Sequence, residues 1–425
     1  MSDMRKRNSE SGFAIVVVIV ILVIIVVVAL ILNSMGIQHL GFVRKQKHDT
    51  KALYAAESGV ARAISSLKKN RTWDGTVDGS GNESKLTFLN SRMPNSDDTY
   101  TVKVYNNFSG ASEIKGYNGI VVPPGACLVI SKGKSGLISS KDVGVMITRS
   151  SFFDFGIFGD KSVDISGNVS VTAKDSATGM SVPGGADVGT NGVTKGSVTM
   201  NGTPVYVDGS IYAGYGANLA TDQPILLHGH CSLTGEQKTL NGTKTLGQVV
   251  LPTNLVKRTF SQGMLMPGDY SGETTLTIVN QDVTLTGSAG GAKYIFSGIT
   301  ASGKGKLIID ASSGPVVIYL NGNVSFSGQS GITITHSGSL AAKPGDLIFL
   351  GTGNCKDIKL TGISSFIGGI YAPSAQLSIT GDTQMYGGSV SGAISMKGSI
   401  KYDYDTALKK QAGLDNLSVG SWQYF

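Results

Sequence analysis

The chain has 425 residues, 58 of them glycine, with only 15% charged and 7% aromatic residues. That profile excludes a collagen-like repeat and a charge-rich disordered chain, and it suits a β-rich fold with many tight turns. The net charge of +7 lies wholly in residues 1–71, which hold eleven Lys/Arg against four acids; such an excess beside an apolar segment is a membrane-topology signal, and no nucleic-acid partner is expected.

Arg5, Lys6 and Arg7 precede a run from Phe13 to Leu32 with no polar side chain. Twenty residues of helix span about 30 Å, the thickness of a bilayer core. A transmembrane helix follows, with its N-terminus in the cytoplasm and the bulk of the chain exported, although Arg44, Lys45, Lys47 and Lys51 flank the far side too. The run is too long for a secretory signal; Ser34-Met35-Gly36 is the cleavage site that reading would need. Beyond the span, Leu53, Ala56, Val60, Ala63/Ile64 and Leu67 recur on one helical face, so the helix is predicted to reach residue 70. Ala52, Ala55, Ala56 and Gly59 keep it slim enough for close helix packing, and Gly36, Gly41 and Gly59 are the points where an interruption is expected.

A short basic leader ending in Gly12, followed by Phe13 and a long apolar helix, resembles the class III signal of type IV pilins and type II secretion pseudopilins. The resemblance implies that residues 1–12 are a leader removed by a prepilin peptidase between Gly12 and Phe13, and that Phe13 becomes a methylated N-terminus. Most of that family carry Glu at the fifth mature position. Here Val17 stands there, which implies a minor, tip-located subunit rather than a major pilin. The segment LYAAESGVARA is similar to the one that follows the span in PilX-like minor pilins, and implies that Glu57 contacts a neighbouring subunit; a solvated helix face is the alternative.

Residues 71–150 read as a small β domain, with short β-type runs such as TYTVKVYN and DVGVMITRS between Gly, Pro and Asn turns. VVPPGACLVISKGKSG resembles the Pro-Pro-Gly hairpin that follows the helix in PilX-like proteins. No chemistry is expected there.

From residue 151 onward a motif recurs: apolar, polar, apolar, polar, Gly. Its copies are VDISG (163–167), CSLTG (231–235), VTLTG (283–287), VSFSG (324–328), IKLTG (358–362), LSITG (377–381) and ISMKG (394–398). Alternation at period two points the first and third residues inward, and the glycine permits a corner. The last steps, of 19 and 17 residues, predict stacked turns of a β-solenoid, a right-handed parallel β-helix, over 151–425. Wider steps earlier predict irregular loops near 180–222 and 240–270. The expected class is therefore α+β: a long membrane helix, a small β domain, then the solenoid. SSFFDFGIFGDKSVDISGNVSV and GGIYAPSAQLSITGDTQMYGGSVSGAISMKGSIKYDYDTAL resemble the C-terminal domain of PilX-type proteins; 180–222 and 240–300 resemble nothing comparable.

Solenoids of this kind often host carbohydrate chemistry, which needs clustered carboxylates with Arg or Lys. No arginine follows Arg258, and Asp403/Asp405 are the only close acid pair there, read as a polar cap on an exposed end. No enzymatic activity and no cofactor are expected. His228 and His230 share a strand face and are weak metal ligands without a third partner, because Cys231 points to the opposite, core side. Cys127, Cys231 and Cys355 leave a disulfide open. A wall of Ser, Thr, Asn and Gly with Tyr206, Tyr212, Tyr215, Tyr319, Tyr371 and Tyr386 suits contact with a glycan or surface, and equally suits a solvent-facing solenoid with no ligand.

The expected function is a minor pilin or pseudopilin: a low-copy tip subunit whose solenoid head serves adhesion, assembly priming or surface contact. Its partners would be the membrane, other pilin subunits, the prepilin peptidase, and a tip adhesin or surface glycan. It would sit in the cytoplasmic membrane before assembly and at the cell surface afterwards. Two other classes stay open: a membrane-anchored carbohydrate-active enzyme, and a self-polymerising scaffold resembling bactofilins.

Overall fold

A computed structural model describes residues 3–70, 73–74, 86–108, 110, 112–136, 139–253, 255, 270–271, 275–338, 340–410 and 415–425. The chain forms two compact units, residues 1–149 with 417–425, and residues 150–416.

The first unit is built on one helix, Asp3–Lys69, about 100 Å long at about 1.5 Å per residue. It runs through Gly36, Gly41 and Gly59 without a break, so the expected interruptions do not occur. A helical glycine costs only about 1 kcal/mol relative to alanine, too little to break a helix flanked by long apolar runs. Gly59 serves packing instead, because a Cβ there would press on the side chains of Tyr100 and Val102. Across the interface, a Cβ on Gly133 would collide with the backbone of Ala52 and Ala56.

The slim face is thus filled by the unit's own sheet, not held open for a neighbouring helix. Ala52, Ala55, Ala56, Val60, Ala63 and Leu67 are fully buried, and the last four of these share a core with Val102, Cys127, Val129, Val145 and Ile147. The sheet is ordered Leu86–Arg92, Thr99–Asn106, Ala126–Ser135, Ser139–Ser151, Asp415–Tyr424. Its last strand falls outside the expected division at residue 151: the C-terminus belongs to this unit, with the Phe425 amide donating to the Asp142 carbonyl at 3.0 Å.

The second unit is β-rich, and its ladders are almost all parallel. One face shows why these residues stack. The inward pair is Ile225/Leu227, Val198/Met200, Val163/Ile165 and Ile394/Met396 on successive strands. The series continues through Leu377/Ile379, Ile358/Leu360, Val324/Phe326, Ile299/Ala301 and Leu276/Ile278. All except Leu227 are buried, and they form one continuous core. Five of the seven motif copies lie on this face. VTLTG lies instead in a separate three-stranded parallel sheet, where Val283 faces Leu307, and CSLTG follows the corner, where Cys231 faces Val205.

The order of levels is not the order of the chain. The strand Ile157–Asp175 enters mid-stack, pairing on one side with Val198–Val207 and on the other with the end of Ser365–Asp405. The chain steps outward to Ile225–Leu233. Residues 244–249 then climb back along the stack: the Lys244 amide donates to Asn191 Oδ1, the Gly247 carbonyl accepts from the Tyr371 hydroxyl, and Val249 bridges to Thr352. From the far end the chain returns level by level until it closes on its starting strand.

This path corrects the irregular loop expected near 180–222. Met180–Ser181, Val188–Thr190, Val198–Val207 and Ile211–Ala213 are strands within the stack. VTMNG (198–202) and ITASG (299–303) are further motif copies, and ILLHG (225–229) is a variant with apolar Leu226 at the first polar position. Of the loop expected near 240–270, residues 254 and 256–269 lie outside the described residues.

Candidate functional site

The helix is the most distinctive feature of the first unit. Val16–Lys68 contains a window of mean hydropathy 3.7, long and apolar enough to cross a membrane. Residues 16–47 are exposed, and the uncovered apolar surface extends past Leu32 through Met35, Ile37, Leu40, Phe42 and Val43. The sheet takes over at the next turn, where His48 Nδ1 lies 2.9 Å from Ser135 Oγ and the Ser139 hydroxyl donates to Asp49. Gly12 and Phe13 fall inside the helix, and the Phe13 side chain lies outside the described residues. Val17 is exposed, and Glu57 is half-buried with no ion pair or hydrogen bond among the described residues.

In the second unit, Asp403 and Asp405 are not an exposed cap. They are buried, at 9% and 1% exposure, on the last strand to join the stack. Lys174 Nζ lies 2.8 Å from Asp403 Oδ2, and the Thr172 hydroxyl donates to Asp403 Oδ1. Asp405 accepts from the Ser176 amide and hydroxyl at 2.9 and 2.7 Å, and from the Ala407 amide at 3.0 Å. Burial pushes Asp403 up. Hydrogen bonds from Lys174 and Thr172, with the charges of Lys174 and Lys401, outweigh that and leave it below the ordinary carboxylate value. Tyr386 is pushed up to about 12, first by burial and then by the charge of Asp405. Tyr402 hydrogen-bonds to the Gly156 carbonyl and Ser389 hydroxyl, and Tyr404 to the Phe153 carbonyl. These groups stitch the first strand of the stack to the last. The carboxylate oxygens of Asp403 and Asp405 accept from protein donors, and the hydroxyls of Tyr402 and Tyr404 donate to backbone carbonyls.

His228 and His230 are exposed on either side of Gly229, which turns the corner at φ +75°. Cys231 faces inward as expected, its Sγ 3.0 Å from the His228 carbonyl oxygen, yet it is only half-buried. Among the described residues its strand is the outermost of its ladder, with no further level paired to it. Among the described residues no three His, Cys, Asp or Glu side chains gather into a metal-binding group. All three cysteines are free thiols. The tyrosines form no common wall: Tyr371 is buried, stacked 3.9 Å from Phe152, Tyr212 packs edge-on to Phe155, and Tyr215 alone of the six is exposed.

Residues 236–411, less than half of the chain, match a family described as Domain of unknown function (DUF7305). No curated protein matches the chain. Among solved structures, the crystal structure of competence-associated pilin ComZ from Thermus thermophilus aligns over 89% of this chain and 97% of its own, at 12% identity and a TM-score of 0.23. A superposition that loose carries no argument about fold.

Proposed function

We propose that this chain is a PilX-like minor pilin or pseudopilin, present in low copy at the tip of a type IV pilus or of a type II secretion-like filament. Its parallel stack would be a β-solenoid head, a right-handed β-helix, displayed for adhesion, assembly priming or contact with a partner or surface glycan. The observation that carries this reading is the reach of the uncovered apolar helix. Crossing a bilayer takes about 20 residues, whereas the bare apolar surface runs from Val16 to Val43 before the sheet begins to cover the helix. The part beyond the bilayer calls for other helices to pack on it, as subunits of a filament supply. Half-buried Glu57 is a contact point for one of them. The committed oxygens of Asp403 and Asp405 support a structural role for the head over an enzymatic one.

Mass spectrometry of the mature N-terminus tests the proposal. A chain starting at methylated Phe13 supports processing by a prepilin peptidase. An intact Met1, or a start at Ile37, would sink it.

A further inference from the structure

The strand Ile225–Leu233 ends its ladder: among the described residues it pairs only with Val198–Val207, leaving its other edge unpaired. An open edge with apolar residues behind it is a template for another chain. Here the inward row is uncovered as well, for Leu227, Cys231 and Leu233 are half-buried where their counterparts Met200, Val205 and Val207 are buried.

The sequence of this edge is self-complementary about Gly229. Antiparallel pairing with a second copy, with the two-fold axis through Gly229, sets Ile225 opposite Leu233 and Leu227 opposite Cys231. Apolar residues then meet apolar residues on the inward side. The same register sets His228 opposite His230 of the partner subunit on the outward side. An isologous contact demands this kind of match, residue i against j and j against i. Because the corner falls at Gly229, the two arms of the bent strand exchange places under the same rotation.

We propose that two copies of this chain pair edge to edge along Ile225–Leu233 and thereby complete a metal site from four imidazoles, His228 and His230 of each copy. Directly opposed residues in an antiparallel pair have Cβ atoms about 5 Å apart, within the span of a shared ion. Four neutral imidazoles suit a borderline divalent cation such as Zn²⁺ in tetrahedral geometry. One chain supplies two ligands and cannot hold the ion alone; the second copy supplies the rest. The inference rests on the second unit and does not depend on the role of the stem.

The test uses the full chain in detergent micelles, with zinc chloride added and then removed by EDTA. Sedimentation velocity is expected to show a reversible doubling of protein mass, with about one Zn²⁺ bound per two chains. His228→Ala and His230→Ala, both at exposed positions, are each expected to abolish the zinc-dependent doubling. Zinc should also slow alkylation of Cys231 in the wild type, since the edge that leaves it half-open is then covered. A protein that stays monomeric in zinc, or a zinc-dependent dimer that survives both substitutions, overturns the proposal. Association through the stem would not depend on metal and is told apart by its indifference to EDTA.

Discussion

Gly167 and Gly398, distant in sequence, occupy one register position on neighbouring strands, and a Cβ on Gly167 would run into the carbonyl oxygen of Gly398. They belong to a column of corner residues through the stack: Gly229, Gly202, Gly167, Gly398, Gly381, Gly362, Gly328 and Gly303, ending at Asn280. Asn280 takes the left-handed conformation at φ +54°, which asparagine tolerates better than most residues. Gly167 and Gly398 lie at φ +105° and +128°, where a side chain is strained whatever the space. Gly167→Ala combines that strain with a backbone collision and should destabilise the second unit by about 3 kcal/mol. Thermal unfolding followed by circular dichroism should show the loss. Gly290→Ala, where a Cβ meets open space at an ordinary φ, should leave the transition in place.

The helix of the first unit depends on Gly133 in a comparable way. Its hypothetical Cβ meets backbone atoms of Ala52 and Ala56, which cannot swing aside as a side chain would. Gly133→Ala should push helix and sheet apart at a cost of about 2 kcal/mol. Hydrogen exchange should rise along residues 52–63 and in the facing strand Ala126–Ser135. Unchanged protection there would mean that the interface has slack.

Acid should loosen the second unit through Asp403. Its folded-state value lies below the ordinary 3.8, so its stabilising contribution is fully present above that pH and is lost as pH falls through the lowered value. Melting temperature should decline below about pH 4. Asp403→Asn should lower stability at neutral pH, because Lys174 and Thr172 lose a charged acceptor, and should flatten the acid limb. A variant with the same acid slope as the wild type would remove Asp403 as its source.

Thiol reactivity should separate the three cysteines. Cys127 and Cys355 are buried, and burial pushes both thiols up to about 12, so little thiolate is available. Cys231 is half-exposed. Brief alkylation of the native, metal-free chain should modify Cys231 alone, as read by peptide mass spectrometry. Equal labelling of Cys355 would show that its level of the stack opens readily.

Much of the local chemistry was legible before any coordinates. The run from Phe13 to Leu32 announces a helix because every side chain in it is apolar. The pairs Val163/Ile165, Val324/Phe326, Ile358/Leu360, Leu377/Ile379 and Ile394/Met396 announce buried strand faces because alternation at period two is a property of the strand itself. The inward Cys231 was legible for the same reason. Its half-exposure was not, since that depends on its strand being the outermost of the ladder.

The sequence by itself determined which residues face inward, where corners fall, and how long the apolar helix is, for each rests on neighbours within a few positions. Tertiary structure alone decided which strand lies beside which. Every motif copy offers the next level the same apolar pair and corner glycine, so local pattern cannot rank one neighbour over another. That is why Ile394 settles against Val163, why the climbing segment at 244–249 is needed, and why buried Asp403 meets Lys174 and Thr172. The same holds for the slim helix face, which reads as a seat for a neighbouring helix until Gly59 and Gly133 bring it onto the protein's own sheet.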